Sequence, residues 1–238
     1  MLLWFTAAFL AYFVKGVCGF ANTLVFTSIL SFGSANIEIT PVDLLVGAPP
    51  NAIMAWRGRK QLQARVALPL IALILSGDLI GALLLKNADV SVIRAVFGAA
   101  VIAVALDMLR RQLRPSARKG SPLVLALVGL LSGVMSGLFG VAALIVAYVS
   151  RVTENTEAMK ANINAVFMAD NVFRLIVYLV MGILTPASVR TALILLPVSL
   201  LGLFAGLKCA GRLKESAVRL LVILLLLLSG VLLIAKSL

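Results

Sequence analysis

Apolar residues dominate the chain in long runs, and short polar stretches separate these runs. A helix of about 20 apolar residues is long enough to cross a bilayer. We predict eight apolar helical segments, at residues 2–32, 42–56, 66–86, 91–110, 122–149, 158–181, 188–208 and 216–236. Little sequence is left between them for a soluble domain, so residues 1–238 are predicted to form a single transmembrane domain.

The two halves of the chain resemble each other. KGVCGFANTLV aligns with SGLFGVAALIV at an offset of 121, and Asn51 aligns with Asn171 at an offset of 120. SGDLIGALL aligns with LGLFAGLKC at an offset of 125. Matches in the same order at a nearly constant offset predict repeat 1 at residues 1–109, a basic linker at 110–121 and repeat 2 at 122–238. Internal repeats are common in secondary transporters.

Loop charges indicate that the two repeats have opposite orientations. Residues 57–65 carry a net charge of +4 and their equivalents 182–190 carry +1, whereas residues 86–94 carry +1 and their equivalents 208–219 carry +3. Basic loops stay in the cytoplasm, and eight plain spans would place residues 208–219 on the other side. We therefore predict that segments 1 and 5 are re-entrant hairpins, with arms of about 13 residues and about 20 Å. The predicted fold is an all-α polytopic membrane protein of two inverted repeats, each a glycine-tipped hairpin followed by three transmembrane helices.

The composition of the chain narrows the range of possible functions. The chain is 62% hydrophobic and 13% charged, which is typical of a membrane protein. Its net charge of +12 lies in the short loops, so we predict the lipid bilayer and no nucleic acid as a partner. The chain has no histidine, and Cys18 and Cys209 are far apart, so no cofactor, metal site or nucleophile–base pair of an enzyme is predicted. A non-transporting scaffold would leave polar hairpin tips unexplained, and a transporter is favoured.

Polar and glycine residues mark a candidate binding site for an anion. A broken helix directs free N–H groups and a positive dipole end at a bound anion, and glycine permits close approach. The alternative for Asn22 is that its side chain forms hydrogen bonds with backbone groups left unpaired at the helix break. The predicted substrate-binding residues are Lys15, Gly16, Gly19, Asn22, Asn51, Ser136, Gly137, Gly140, Asn171 and Arg174.

Segment 6 carries a polar stripe. The spacing of Asn164, Asn171, Arg174 and Tyr178 puts them along one helical face, which is predicted to face protein or water. Asp170 precedes Arg174 by one turn, which favours a neutralised pair within the bundle. The alternative is that Arg174 contacts the anion while Asp170 orients it.

Two further charges lie at membrane depth. Lys15 either contacts the anion, forms a structural ion pair with Asp78 or Asp43, or extends to the membrane interface. Asp78 either carries a coupling proton or neutralises Lys15. The sequence leaves these alternatives open.

The chain resembles the sulfite exporter TauE/SafE family of membrane proteins. That family carries two copies of a GxxGxGG-type stretch followed by an apolar run, and GVCGFANTLVFTSIL and GLFGVAALIVAYV are similar to them. The second half matches more closely, in NINAVFMADNVFRLIVYLVMGILT, LLPVSLLGLFAGLKCAGRL and LLLLLSGVLLI. The glycine run is reduced here to GFAN and GVAA, which leaves the substrate open.

The resemblance implies a non-enzymatic function. It implies export of small sulfur-containing anions, such as sulfite or sulfonates like sulfoacetate, across a bacterial cell inner membrane. The anion would be bound between the two hairpin tips. The sequence leaves open whether the substrate is another small organic anion, whether the protein is a channel or a proton-coupled carrier, and whether it forms a homodimer.

Overall fold

The chain folds into packed helices. A computed structural model describes residues 1–30, 34, 36–87, 98–99, 101–103, 105–106, 109–110, 122–139, 143–153, 155–212 and 215–235. Its helices are α1 (Leu2–Cys18), α2 (Asn22–Leu30), α3 (Asn36–Gly58), α4 (Ala64–Asn87), α5 (Pro122–Phe139), α6 (Ala143–Val152), α7 (Thr156–Val180), α8 (Pro186–Ala210) and α9 (Glu215–Ala235). A single 3₁₀ turn follows α3 at Arg59–Gln61, and these described residues contain no strand.

The first apolar segment is broken at its glycine tip, as predicted. Helix α1 ends at Cys18, and Gly19 caps it in the left-handed conformation with φ 89° while its N–H donates to the Lys15 carbonyl at 2.6 Å. Ala21 also has a positive φ, 74°, and α2 begins at the next residue. Left-handed backbone is favourable for glycine and costs energy for alanine, so this turn is held by its surroundings.

Helix α2 folds back along α1. The rings of Trp4 and Phe26 lie 5.9 Å apart in an edge-to-face contact. A continuous helix would separate these two residues by about 33 Å. The first segment is therefore a hairpin, with arms of 17 and 9 residues.

The second half also contains a helix pair at the predicted position. Helix α5 ends at Phe139 and α6 begins at Ala143. The tip between them, which includes Gly140, lies outside the described residues, as do most of segment 4 and nearly all of the linker.

Helices from the two halves interlock reciprocally. Helix α1 packs along α8, while α5 packs along α4. The first arm of each helix pair thus packs on the fourth helix of the other half, and α3 packs against its counterpart α7. This arrangement brings α2, α3, α5 and α7 around one common space.

Glycines permit the closest of these contacts. A Cβ on Gly16 would lie 2.7 Å from the Leu207 nitrogen, and a Cβ on Gly77 would lie 2.8 Å from the Gly133 Cα. Distances this short leave no room for any side chain, so the helices meet backbone to backbone. Gly77, Gly202 and Gly206 make close contacts of this kind with the backbone of the neighbouring helix.

The outer surface suits lipid. Within the described residues, Ala64–Gly81, Thr156–Val180 and Pro186–Ala210 are long and apolar enough to cross a membrane, by length and composition. Helix α7 exposes Val172, Ile176 and Leu179 and buries its polar stripe. Apolar side chains outside and polar ones inside are expected where the surroundings cannot form hydrogen bonds.

Helix α3 is longer than its hydropathy predicts. It extends over residues 36–58 rather than 42–56, and it contains Pro41, Pro49 and Pro50. The polar residues at its start and the two consecutive prolines lower its hydropathy, but packing on α7 and α8 keeps it helical.

Candidate functional site

A cavity lies at the break of the first hairpin, between the start of α2, α3, α5 and α7. Its volume is about 40 Å³, whereas one buried water needs roughly 10–15 Å³. Its polar lining residues come from both halves of the chain: Asn22, Thr23, Asp43, Asn51, Ser136, Asp170, Asn171 and Arg174. Five of these, Asn22, Asn51, Ser136, Asn171 and Arg174, were predicted from the sequence as substrate-binding residues, and Asp170 was predicted as the partner of Arg174.

One face of α3 forms part of the cavity wall. Asp43, Gly47 and Asn51 recur at every fourth residue and all line the cavity. Sequence reasoning assigned Asn51 to the site but not Asp43 or Gly47. The four-residue spacing was a signal that could have found them, since residues i, i+4 and i+8 share a helical face.

Two amide groups converge over Gly47. A Cβ on Gly47 would lie 3.6 Å from Nδ2 of Asn22, 3.8 Å from Nδ2 of Asn171 and 3.2 Å from the Tyr12 hydroxyl. The Asn171 Nδ2 group is buried and has no hydrogen-bond partner among the described residues. A buried donor without an acceptor costs free energy, so this atom marks a place where a ligand oxygen would be stabilised.

Lys15 lies behind the cavity wall. Its side chain is fully buried, and Nζ donates to Oδ1 of Asn22 at 3.1 Å and to Oδ1 of Asn51. It forms no ion pair with Asp78 or Asp43 within the described structure, and its ammonium lies 6.0 Å from the centre of the Phe167 ring. Lys15 therefore binds the oxygens of two amides that line the cavity, and it does not line the cavity itself.

Arg174 lines the opposite wall. Its Nη1 lies 3.7 Å from Oδ2 of Asp170, and its Nη2 donates to the Tyr178 hydroxyl at 3.1 Å. Ser136 donates to Asp170, at 2.8 Å from Oδ1 and 3.0 Å from Oδ2. The predicted Asp170–Arg174 pair is present, but the Arg174 Nε group is buried without a partner among the described residues. The pair leaves one guanidinium N–H donor unused.

Two further carboxylates, Asp43 and Asp78, are buried at or near the cavity. Asp43 accepts a hydrogen bond from the Thr23 hydroxyl at Oδ2, while its Oδ1 has no donor within the described residues. Asp78 lies beside Asp170 and Arg174, and neither of its oxygens has a hydrogen-bond donor there. Asp78 is thus near the cavity but outside its lining.

The glycines predicted as substrate-binding residues contribute to helix packing and to the helix break rather than to the cavity lining. Gly16 packs against α8, and the Gly19 carbonyl accepts a hydrogen bond from Nδ2 of Asn164 at 2.7 Å. Neither residue lines the cavity. Gly137 lies in the last turn of α5, and Gly140 falls outside the described residues.

The side chains that line the cavity suit the non-covalent binding of a ligand. The amide and hydroxyl groups of the cavity and its one guanidinium suit the oxygen atoms of a small anion, and the carboxylates of Asp43 and Asp170 line the cavity beside them. Among the described residues, no three His, Cys, Asp or Glu side chains are grouped so that they could hold a metal ion.

Comparison with known proteins identifies the family. Residues 4–233 match the family described as Sulfite exporter TauE/SafE. No curated protein and no solved structure matched the chain. The matched range includes every cavity residue, and it covers nearly the whole chain. The chain therefore belongs to the sulfite exporter TauE/SafE family of transmembrane transporters.

Proposed function

We propose that this protein exports small sulfur-containing oxyanions, sulfite or sulfonates such as sulfoacetate, and binds them in the cavity at the hairpin break. The observation that carries the proposal is the pair of buried, unpartnered N–H donors, Asn171 Nδ2 and Arg174 Nε, on residues that line one cavity. An anion oxygen would satisfy both donors, and hydrogen bonds to charged groups are the stronger kind.

The dimensions of the cavity support a small headgroup. A volume of about 40 Å³ corresponds to a few water-sized groups. A sulfonate or sulfite group has three oxygens around one sulfur. Asn22 and Asn171 on one side and Arg174 on the other could contact different oxygens at once.

The proposed arrangement in the membrane is a pair of inverted repeats in a bacterial inner membrane, with the basic loops in the cytoplasm. The reciprocal packing of α1 on α8 and of α5 on α4 supports this arrangement, because a two-fold relation between the halves produces such exchanged contacts. The hairpin tips would then reach the cavity from opposite sides of the bilayer.

The membrane potential favours export. Each negative charge moving outward gains about 2.3 kcal/mol per 100 mV, which corresponds to roughly a 50-fold gradient at equilibrium. Export therefore needs no ATP, and the sequence contains no glycine-rich loop ending in Lys-Ser/Thr.

Counterflow of radiolabelled sulfite into proteoliposomes tests the proposal. We expect uptake that sulfonates inhibit and acetate does not. Arg174→Lys keeps the charge but removes the planar set of donors, so it should raise the half-inhibiting sulfonate concentration at least about tenfold. Arg190→Gln is the matched control, because Arg190 is exposed and lies outside the cavity.

Two results would contradict the proposal. The first is the absence of counterflow with any oxyanion in folded wild-type protein. The second is transport that Arg174→Lys and Arg190→Gln leave equally unchanged, which would place the anion elsewhere.

A further inference from the structure

A groove opens on the outer surface of the protein where α3, α7 and α8 meet, and we call it the outer groove. Its volume is about 720 Å³, which lies within the range of roughly 300–1,000 Å³ found for small-molecule sites. Most of its lining is apolar and includes Leu45 on α3, Leu179 on α7 and Leu193 on α8. The outer groove shares no lining residue with the cavity at the hairpin break.

Arg190 interrupts the apolar lining of the outer groove. It is exposed and lies on the same face of α8 as Val189, Leu193 and Ile194, which are 40%, 65% and 41% exposed. Among the described residues, the Arg190 guanidinium has no hydrogen-bond or ion-pair partner, and no carboxylate lines the groove. An arginine on an apolar surface that faces lipid is unfavourable until its charge meets water or an anion.

The position of Arg190 along α8 indicates its depth in the membrane. The 25 residues of α8 span about 37 Å, whereas the hydrocarbon core of a bilayer is about 30 Å thick. Arg190 is the fifth residue of this helix and lies about 6 Å from its start. It is therefore near the boundary between the hydrocarbon and the lipid headgroups.

The start of α8 is a second feature that favours an anion at this end of the groove. Thr185 caps the helix and Pro186 is its first residue, and both line the groove within about one turn of Arg190. The N-terminus of a helix carries a partial positive charge. The outer groove thus combines an electropositive end with a long apolar lining.

We propose that the outer groove binds one molecule of an anionic phospholipid, with an acyl chain on its leucines and the headgroup phosphate paired with Arg190. A guanidinium suits a phosphate because two of its N–H donors can contact two phosphate oxygens at once. A lipid with a net negative charge is favoured over a zwitterionic one, because the described lining offers the cationic group of a zwitterionic headgroup no carboxylate.

A second copy of this chain is the competing occupant. A two-fold contact over the groove would bring the same surface of both copies together. Arg190 of each copy would then be enclosed by apolar side chains, without a carboxylate from the described lining to neutralise it. An unpaired buried charge is strongly unfavourable, whereas a lipid phosphate supplies the missing negative charge.

Thermal unfolding in a neutral detergent, without any oxyanion, tests the inference. Dioleoylphosphatidylglycerol and dioleoylphosphatidylcholine carry the same acyl chains and differ in net charge. A lipid that binds the folded protein raises its melting temperature. We expect the half-maximal effect at a mole fraction at least about tenfold lower for phosphatidylglycerol than for phosphatidylcholine, since hydrogen bonds between charged groups are the stronger kind.

Three variants locate the lipid. Arg190→Gln should remove the preference for phosphatidylglycerol, and Leu193→Trp, which places a larger ring in the groove, should weaken the binding of both lipids. Arg212→Gln is the matched control, because Arg212 is exposed, lies beyond the other end of α8 and lines neither the groove nor the cavity. It loses the same charge and should keep the preference.

Several results would overturn the inference. Equal effects of the two lipids on the wild type would do so, as would a preference for phosphatidylglycerol that persists in Arg190→Gln or unchanged lipid binding in Leu193→Trp. A dimer, detected by light scattering, that Leu193→Trp dissociates would assign the groove to a second copy instead.

The inference is independent of the proposed anion site. Arg190→Gln should leave the affinity for methanesulfonate, a small sulfonate, unchanged, because the groove and the cavity share no lining residue. Failure of the wild type to bind methanesulfonate or sulfite would refute the anion site and leave the lipid titration unaffected.

Discussion

The amide of Asn171 is the donor whose removal tests the anion site most directly. Its Nδ2 group is buried without a partner among the described residues, so Asn171→Ala breaks no hydrogen bond of that group in the empty protein. In the occupied site the same group would donate to a charged oxygen, and such a bond contributes about 1.5–3 kcal/mol. We therefore expect Kd for methanesulfonate to rise about 10- to 150-fold, while thermal stability without ligand stays unchanged or increases.

Asn164 provides the matched control on the same helix. Its Nδ2 donates to the Gly19 carbonyl at 2.7 Å and to the Lys160 carbonyl at 2.8 Å, and it does not line the cavity. Asn164→Ala should therefore lower the melting temperature, because the carbonyl at the hairpin tip loses its donor.

Calorimetric affinity and thermal unfolding in detergent, measured on both variants, distinguish the two roles. Unchanged methanesulfonate affinity in a folded Asn171→Ala protein would refute the placement of the anion at this amide. A marked loss of stability in Asn171→Ala would show that the amide is structural.

Three further variants test neighbouring features. Lys15→Met leaves the Asn22 and Asn51 oxygens without their buried donor, so it should destabilise the fold by about 1–3 kcal/mol for each unsatisfied group; an unchanged melting temperature would contradict this. Gly47→Ala places a methyl group between the Asn22 and Asn171 amides. It should weaken methanesulfonate binding about tenfold or more, which corresponds to about 1.4 kcal/mol or more. Wild-type affinity in this variant would show that the anion lies elsewhere. Ser216→Cys, in a background where the native cysteines are alanine, should react with an impermeant maleimide only from the cytoplasmic side, and labelling only from outside would disprove the inverted-repeat topology.

Much of the helical framework could be predicted from the sequence, because transmembrane helices are encoded by local apolar runs. Segments 66–86, 158–181, 188–208 and 216–236 differ from the observed helices by no more than two residues at either end. The break in the first hairpin was visible in the glycine and polar residues around Gly19. Helix α3 was underestimated, because its polar start and Pro49 and Pro50 lower its hydropathy while tertiary packing keeps it helical.

The candidate site was predictable only in part. Sequence placed Asn22, Asn51, Asn171 and Arg174 at a polar centre, and the structure puts all four on one cavity. It did not assign Gly47, since a glycine within an apolar helix is read as a packing position until the groups opposite it are known.

The sequence by itself determined that this is a helical membrane protein with polar groups at the hairpin break, since apolar length and buried polarity are local properties. Tertiary structure alone decided which polar groups meet. Lys15 bonds to Asn51, 36 residues further along the chain, instead of forming an ion pair, and Asp78 lies beside Asp170, 92 residues away. These partners depend on how α1 packs on α8 and α4 on α5 at their glycine contacts. Close packing of distant helices is a property of the whole fold, so no local pattern could specify it.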